Sequence, residues 1–522
     1  MEYTKDFEPH QYNLKRIQAE VKDLHQRKQG FRISHGSTNS TRPVHQGRVV
    51  DISCLNRILR IDPDKKTALV EPNVPMDRLL DATLQVGLMP PVVMEFPGIT
   101  VGGGFAGSAG ESSSFKHGFF SETVNWVEVV LGDGKAVKAS RSGKEDLFHG
   151  AAGDAGTLGI ITLLELRLVP AKPYVKLTYR PASSIEEAVA SIKKETENPD
   201  NDYVDGIVYF RSSAVITTGE LTDEKPVSVD VQTFSRPWDP WFYMHVHQRV
   251  QDPPEHDDRE MVDYIPIRDY LFRYDRGGFW VGRESFRYFG FVPFNGFTRW
   301  LLEDFLHART LYRALHGAKR HSGYMIQDLA LPFGSERHFV RHFIKCTTEH
   351  LGIWPLWLCP LRGVEGPTFH PQSSLSPSFL GARRQPLLNI GLWGRAAQDP
   401  AAFVEESREL ERLLHDASGR KVLYSHTYYT EQEFWEEYDQ GWYEELRQKY
   451  RAETLPSIYE KVHVDTSKLH AAYQSWLGWF MSMWPLAGVA GIAAVVRSGD
   501  YVHHRQPLWK RMWEMCVRDK LD

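Results

Sequence analysis

Pro97-Gly98-Ile99-Thr100-Val101-Gly102-Gly103-Gly104-Phe105-Ala106-Gly107-Ser108-Ala109-Gly110-Glu111-Ser112-Ser113-Ser114 is the stretch on which the fold turns. Its six glycines leave main-chain N–H groups uncovered, so phosphate oxygens can approach the backbone with no side chain between. Gly102, Gly104 and Gly107 satisfy G-x-G-x-x-G. A dinucleotide fingerprint of that form opens a helix directly after a strand, whereas Ser108–Ser114 is too rich in Ser and Gly to make one. A ligand-lining segment outside a Rossmann unit is therefore expected.

Working outward, His35–Arg42 and Gly153–Ile161 are two further runs of small and polar residues that suit neither a helix nor a buried strand. Between them lie strand-like segments around Val49–Ile52, Ile58–Ile61, Ala68–Glu71, Val124–Leu131 and Ile160–Leu168, with a helix near Pro75–Val86. Leu14, Ile17, Val21 and Leu24 recur at helical spacing before the first strand. Residues 174–420 are richer in aromatics and prolines, with strands around Gly206–Phe210 and Ala214–Thr218 and a helical zone at 298–317. Val422–Val462 reads as strand, loop and helix, and the last sixty residues as a separate unit.

The 522 residues, 42% hydrophobic and 25% charged, exclude a disordered or disulfide-scaffold chain, and a net charge of −5 with no basic arm argues against nucleic acid. Cys54, Cys346, Cys359 and Cys516 are scattered without a C-x-x-C pair, and His503-His504 has no partner at ligand spacing, so no metal site is expected and a reducing compartment fits. Met1–His10 is neither a signal peptide nor a membrane span. Trp476–Val496 carries no charge over 21 residues, enough to cross a hydrocarbon core of ~30 Å, and three tryptophans crowd one end.

The three small-residue segments, with Val-Glu-Val-Val-Leu-Gly-Asp-Gly (127–134), Asp-Leu-Phe-His-Gly (146–150) and Gly-Thr-Leu-Gly-Ile-Ile (156–161) in order, resemble the FAD-binding domain of the vanillyl-alcohol-oxidase type. The resemblance implies that Gly36, Ser37, Thr38, Asn39 and Ser40 hold phosphate oxygens. It also implies that Thr100, Gly102, Gly103, Gly104, Gly107, Gly110, Glu111 and Ser112 line the cofactor, with Gly159 and Ile161 completing the site. Thr38 stands where many relatives carry a flavin-linking histidine, which implies non-covalent FAD.

Longer phrases extend the likeness: residues 100–120, Pro-Ala-Lys-Pro-Tyr-Val-Lys-Leu (170–177), Tyr-Ile-Pro-Ile-Arg-Asp-Tyr (264–270), Trp-Pro-Leu-Trp-Leu-Cys-Pro (354–360) and Glu-Phe-Trp-Glu-Glu-Tyr-Asp (433–439) are similar to the delta(24)-sterol reductase family. What this implies is an α+β protein: a two-subdomain FAD-binding domain over 1–172, a substrate or cap domain over 173–420, a closing segment over 421–462 that returns to the flavin, and a helical tail over 463–522. The implied reaction is reduction of an isolated alkene in a sterol-like or terpenoid side chain, with NADPH as electron donor. Two departures stand out: the N-terminal anchor common in the family is missing here, and the first loop is His-Gly-Ser-Thr-Asn-Ser.

An unactivated alkene accepts hydride poorly, so such an enzyme must also supply an acid. His426 and Tyr428, alternating along a presumed strand, are the preferred pair, with Tyr264, Arg268 and Tyr270 next and Tyr274, Tyr424, Tyr429 and Glu284 behind them. Cys359 reads as a buried small hydrophobe. Two alternatives stay open: an oxidase of the same fold using dioxygen, and a non-catalytic, membrane-tethered binding protein. The tail suggests membrane contact, at the cytoplasmic face of the endoplasmic reticulum, and a homodimer is possible.

Overall fold

Leu14, Ile17, Val21 and Leu24 fall on one buried face of a helix, Glu8–Gln26, that starts the described chain. The computed structural model describes residues 7–35, 40–42, 47–227, 229–251, 261–318, 323–333, 339–372, 385–467 and 484–505. Full burial of each such side chain removes apolar surface worth ~1.5–3 kcal/mol from water. His10 fixes the helix sideways: its Nδ1 meets Glu71 at 2.9 Å and its Nε2 meets Glu128 at 3.2 Å. Burial alone would push the imidazolium down, but the two carboxylates outweigh it and hold His10 at about 9.

A folded-state value above the ordinary 6.5 contributes stability fully below pH 6.5 and loses it as pH rises through 9. For His10 this is on the order of 3 kcal/mol, and His307, held up at about 9 by Asp275 and Glu303 against burial, adds a contribution of the same sign. We expect the urea midpoint to fall steadily from pH 6.5 to 9, and His10→Gln to remove part of that fall. A midpoint flat across this window in the parent protein would contradict the clamp.

The first sheet is fully antiparallel, in the order Ile58–Asp62, Thr67–Val70, Ile160–Arg167, Val124–Val130, Ala136–Ser140. Beside it, Phe31–Ser34 pairs in parallel with Arg48–Asp51, so the first small-residue loop is the crossover between two parallel strands. The second sheet has eight strands in the order Val262–Pro266, Tyr174–Ala182, Ser213–Thr222, Tyr203–Phe210, Leu356–Arg362, Pro386–Arg395, Tyr324–Pro332, Arg420–Lys421. Its central strands are buried on both faces. Val204, Ile216, Leu358 and Ile390 pack in one cluster with helices Ile185–Thr196 and Pro400–Asp416, while Val175, Ile207, Trp357 and Cys359 join the core shared with the first sheet. The two sheets and their helices make the α+β architecture expected.

Three expectations change. The helical zone at 298–317 divides into Gly296–Leu301, opened by a capping box of Asn295 and Thr298, and Ala308–Gly317. Val422–Tyr428 forms no strand; after Arg420–Lys421 the chain turns over the sheet edge. The tail is not a separate unit. Residues 468–483, the first part of the apolar run, lie outside the described residues, but helix Leu486–Ser498 lies against Ala308–Gly317. The approach is so close that a Cβ on Gly491 would sit 2.7 Å from the Ala314 carbonyl oxygen, and one on Gly317 2.4 Å from the Ala494 Cβ. Asp500 then clasps Arg309 at 2.9 Å and Arg313 at 2.8 Å. No described helix is long and apolar enough to cross a membrane.

Candidate active site

Three distant stretches converge beside the first loop. The Ser40 hydroxyl donates to the Tyr424 carbonyl at 2.7 Å and the Thr41 N–H to the same oxygen at 3.2 Å. In the third segment Asp154 accepts from the N–H groups of Gly156, Thr157 and Leu158 at 2.7–2.9 Å, which shapes the turn. Lys461, from helix Ile458–Val462, reaches in and donates to the Ala155 carbonyl at 2.5 Å. Burial and then the charge of Arg42 push the Lys461 ammonium well down, and burial also lowers Arg42. Two cations thus share one carboxylate. Arg42 Nη1, Thr41 Oγ1 and Ser108 Oγ are buried polar atoms without a hydrogen-bond partner among the described residues. Surplus positive charge beside unspent donors is what a buried diphosphate needs, so these residues fit FAD.

In the central segment Val101–Ala106 is a short helix, capped by Thr100 Oγ1 accepting from the Gly103 N–H at 3.2 Å. The family resemblance implies that these glycines line the ligand, and packing claims several of them. A Cβ on Gly102 would sit 2.6 Å from Pro72 Cβ, on Gly104 2.4 Å from Met94 Cε, on Gly107 2.6 Å from the Gly103 carbonyl oxygen and on Gly110 2.9 Å from Leu361 Cδ2. Gly103 alone among them is exposed. Gly159, at φ +156°, abuts Val129 and the Val130 carbonyl, and Ile161 pairs with Val129. Glu111 and Ser112 tie the segment to the second sheet: Arg273 donates to Ser112 Oγ at 3.3 Å and to Asp205 at 2.8 Å, and lies 3.7 Å from Glu111. Gly36, Ser37, Thr38 and Asn39 lie outside the described residues.

On the sheet face that meets this segment, Asp328 accepts from Asn389 Nδ2 at 2.7 Å, with the Tyr424 phenol beside it and the Tyr312 phenol next to that. Trp393 Nε1 donates to Tyr424 at 3.4 Å. Burial raises the Asp328 carboxyl to about 6 in spite of these neighbours. Glu95, close by, is raised to about 8 by burial and then by the charge of Glu111. Glu95 thus keeps its proton at neutral pH, and Asp328 exchanges one just below it.

Tyr312 also lines a cavity of about 950 Å³, at the upper end of the ~300–1,000 Å³ of small-molecule sites. Its walls are mostly apolar, including Phe96, Phe279, Phe286, Ile326, Trp393 and, from the tail helix, Val495, with Glu284, Arg287 and Arg395 also in the lining. An apolar chamber is therefore walled by a phenol, Tyr312, behind which lie a second phenol, Tyr424, and the Asp328 carboxyl.

Residues 13–140 match the family model described as FAD binding domain. The chain is 30% identical to the delta(24)-sterol reductase of Homo sapiens over 416 residues, 78% of this chain and 76% of the relative. It is 28% identical to the enzyme of the same name from Arabidopsis thaliana over 439 residues, 79% of this chain and 76% of that one. Cytokinin dehydrogenase 9 of Oryza sativa subsp. japonica is 29% identical over only 144 residues, 26% of this chain and 27% of the enzyme. The chain belongs to the delta(24)-sterol reductase family. It is an FAD-dependent oxidoreductase.

Within this family member the residues singled out from sequence scatter. His426 and Tyr428 are together, ring centroids 5.4 Å apart, but beside Phe403 in the helix-covered cluster on the far face of the large sheet. The turn over the sheet edge sends Tyr424 to the cavity side and carries the next residues past Gln327, whose amide donates to the His426 carbonyl, to the other. Tyr270 is buried on Tyr203 and Arg273, Arg268 is paired to Asp81 at 2.8 Å, and Tyr264 sits half-buried on the outermost strand. Tyr274 is bonded to Asp205 at 2.8 Å, and Glu284 lines the cavity between Arg287 and Arg395. Cys359 is fully buried and its thiol is pushed well up by burial, as befits a core residue. Tyr312, Asp328, Glu95, Asp154 and Lys461 were not singled out. One signal existed: Asp328 interrupts the apolar run Tyr324–Pro332.

Proposed function

We propose that this protein reduces an isolated carbon–carbon double bond in a sterol-like or terpenoid side chain, with FAD held non-covalently and NADPH as reductant. The observation that carries the proposal is the apolar cavity lined by Tyr312, with Tyr424 and Asp328 behind that phenol. Reduced FAD supplies a hydride. The chain supplies the rest: Arg42 and Lys461 neutralise the diphosphate, and the cavity walls orient the hydrocarbon and exclude water. Tyr312 gives its hydroxyl proton to the less substituted alkene carbon as the other carbon takes the hydride, and the phenol is recharged from Asp328 through Tyr424. Proton and hydride together saturate the bond, and the carboxyl is reprotonated from solvent.

Mixing flavin-loaded protein with NADPH without oxygen tests the proposal: rapid bleaching of the flavin, followed by recovery of colour on adding an alkene substrate, is expected. Failure to bleach, with colour lost instead on adding a substrate that is then dehydrogenated, would make it an oxidase. Acid precipitation should release the yellow colour into the supernatant, and colour kept by the pellet would overturn non-covalent binding.

A further inference from the structure

Nine of the fourteen large apolar side chains exposed among the described residues come from two short stretches, 291–301 and 484–502. In the first, Phe291, Phe297, Trp300 and Leu301 are between 49% and 73% exposed. Phe291 itself lines the cavity, and the helix Gly296–Leu301 is bracketed in sequence by the cavity-lining Val292 and Leu302. In the second, Val489, Ile492 and Val496 form one outward stripe of the tail helix, with Trp484 before it. That helix turns Ala487, Gly491 and Val495 to the protein, and Val489, Ile492 and Val496 face outward. Thirteen residues span only about 20 Å, too short to cross a bilayer but enough to lie along one.

The charge beside this patch is predominantly positive. Arg287 and Arg395, about half-exposed, share the single carboxylate of Glu284, and Arg497 is exposed at the end of the stripe. Of the nearest other acids, Glu303 and Asp500 are buried in pairs with Arg276 and with Arg309 and Arg313, which leaves Asp304, half-buried, as the one further carboxylate against the patch's arginines among the described residues. Aromatic and aliphatic side chains fringed by arginines form the composition of a surface that settles into the headgroup layer of an anionic membrane.

We propose that the face formed by helix Gly296–Leu301 and helix Leu486–Ser498 docks on an anionic lipid bilayer and draws substrate from it directly into the cavity. The docking surface stands on exposure and charge; that lipid feeds the cavity rests on the alkene-reductase proposal above. A protein bound here would stopper an apolar chamber, whereas a bilayer is continuous with it. No span is needed.

The full flavin-loaded chain is sedimented with vesicles of phosphatidylcholine and phosphatidylserine, three to one, and with phosphatidylcholine alone. Binding to the mixed vesicles is expected, weaker with the neutral ones and weakened by salt. Leu301→Glu and Val489→Glu, at positions that do not line the cavity, should each lower the bound fraction about tenfold while flavin reduction by NADPH is unchanged. Equal binding by the variants, or none by the parent chain, overturns the proposal. So does a parent chain that is dimeric by light scattering and made monomeric by these substitutions, which would give the face to a second copy. Vesicle binding is read without turnover, so it fails or survives independently of the reaction assigned above.

Discussion

Tyr312→Phe is expected to slow alkene reduction by about 10²–10⁴-fold, the range lost when a positioned proton donor is removed, or ~3–5 kcal/mol of barrier. The ring that lines the cavity stays, so sterol binding and the NADPH-driven bleaching of the flavin should be nearly unchanged. Asp328→Asn keeps the shape but loses the proton, and should fall in the same range. Because burial holds Asp328 near 6 and Glu95 near 8, the parent rate should decline as pH rises through about 6, and Glu95→Gln should alter the upper limb near 8. Tyr428→Phe, on the far face, is the control and should turn over normally. If Tyr312→Phe keeps full activity while Tyr428→Phe loses it, the donor lies on the other side of the sheet and the chain described here is structural.

A second large effect is expected of Lys461→Met: loss of FAD on purification. The ammonium is one of two cations beside Asp154, and removing it leaves Arg42 alone against two phosphate charges and a carboxylate. Methionine fills a similar volume, and a buried cation already pushed down costs little to lose, so the variant should melt near the temperature of the flavin-free parent. Gly104→Asp should also give colourless protein for a different reason. Its Cβ would meet Met94 Cε at 2.4 Å and Phe120 at 3.1 Å, so the core itself is disrupted and the melting temperature falls. Lys461→Met recovered yellow at full occupancy would remove Lys461 from the cofactor site.

The contrast between these two variants shows what sequence could convey. The strands of the first domain were legible because alternation and turn residues are local. The glycine-rich segment was legible as a special backbone, but the neighbours that demand glycine there, Pro72, Met94 and Leu361, come from three other parts of the chain. Arg42, Asp154 and Lys461 lie far apart in sequence, and nothing near any of them signals the other two. His426 and Tyr428 share the parity that would place them on one strand face, yet a turn at Leu423–Tyr424 decides which face, and turns at a sheet edge leave little pattern. Tyr312 sits in an amphipathic helix, Ala308–Gly317, where an inward tyrosine looks like any core aromatic.

Lys461 and the Tyr424 carbonyl have one more consequence, for biosynthesis. The loop they complete is among the first fifty residues to be made, and they are among the last hundred. At ~5–20 residues per second the nascent first domain waits many seconds with its glycine-rich backbone and Arg42 made but the second cation, Lys461, still to come. Cofactor capture in this protein is thus a late, near-terminal event of synthesis, and the tail helix that walls the substrate chamber emerges later still. A chain stalled or nicked beyond Val462 would be yellow yet unable to enclose its substrate, whereas one ending before Lys461 would be colourless from the start.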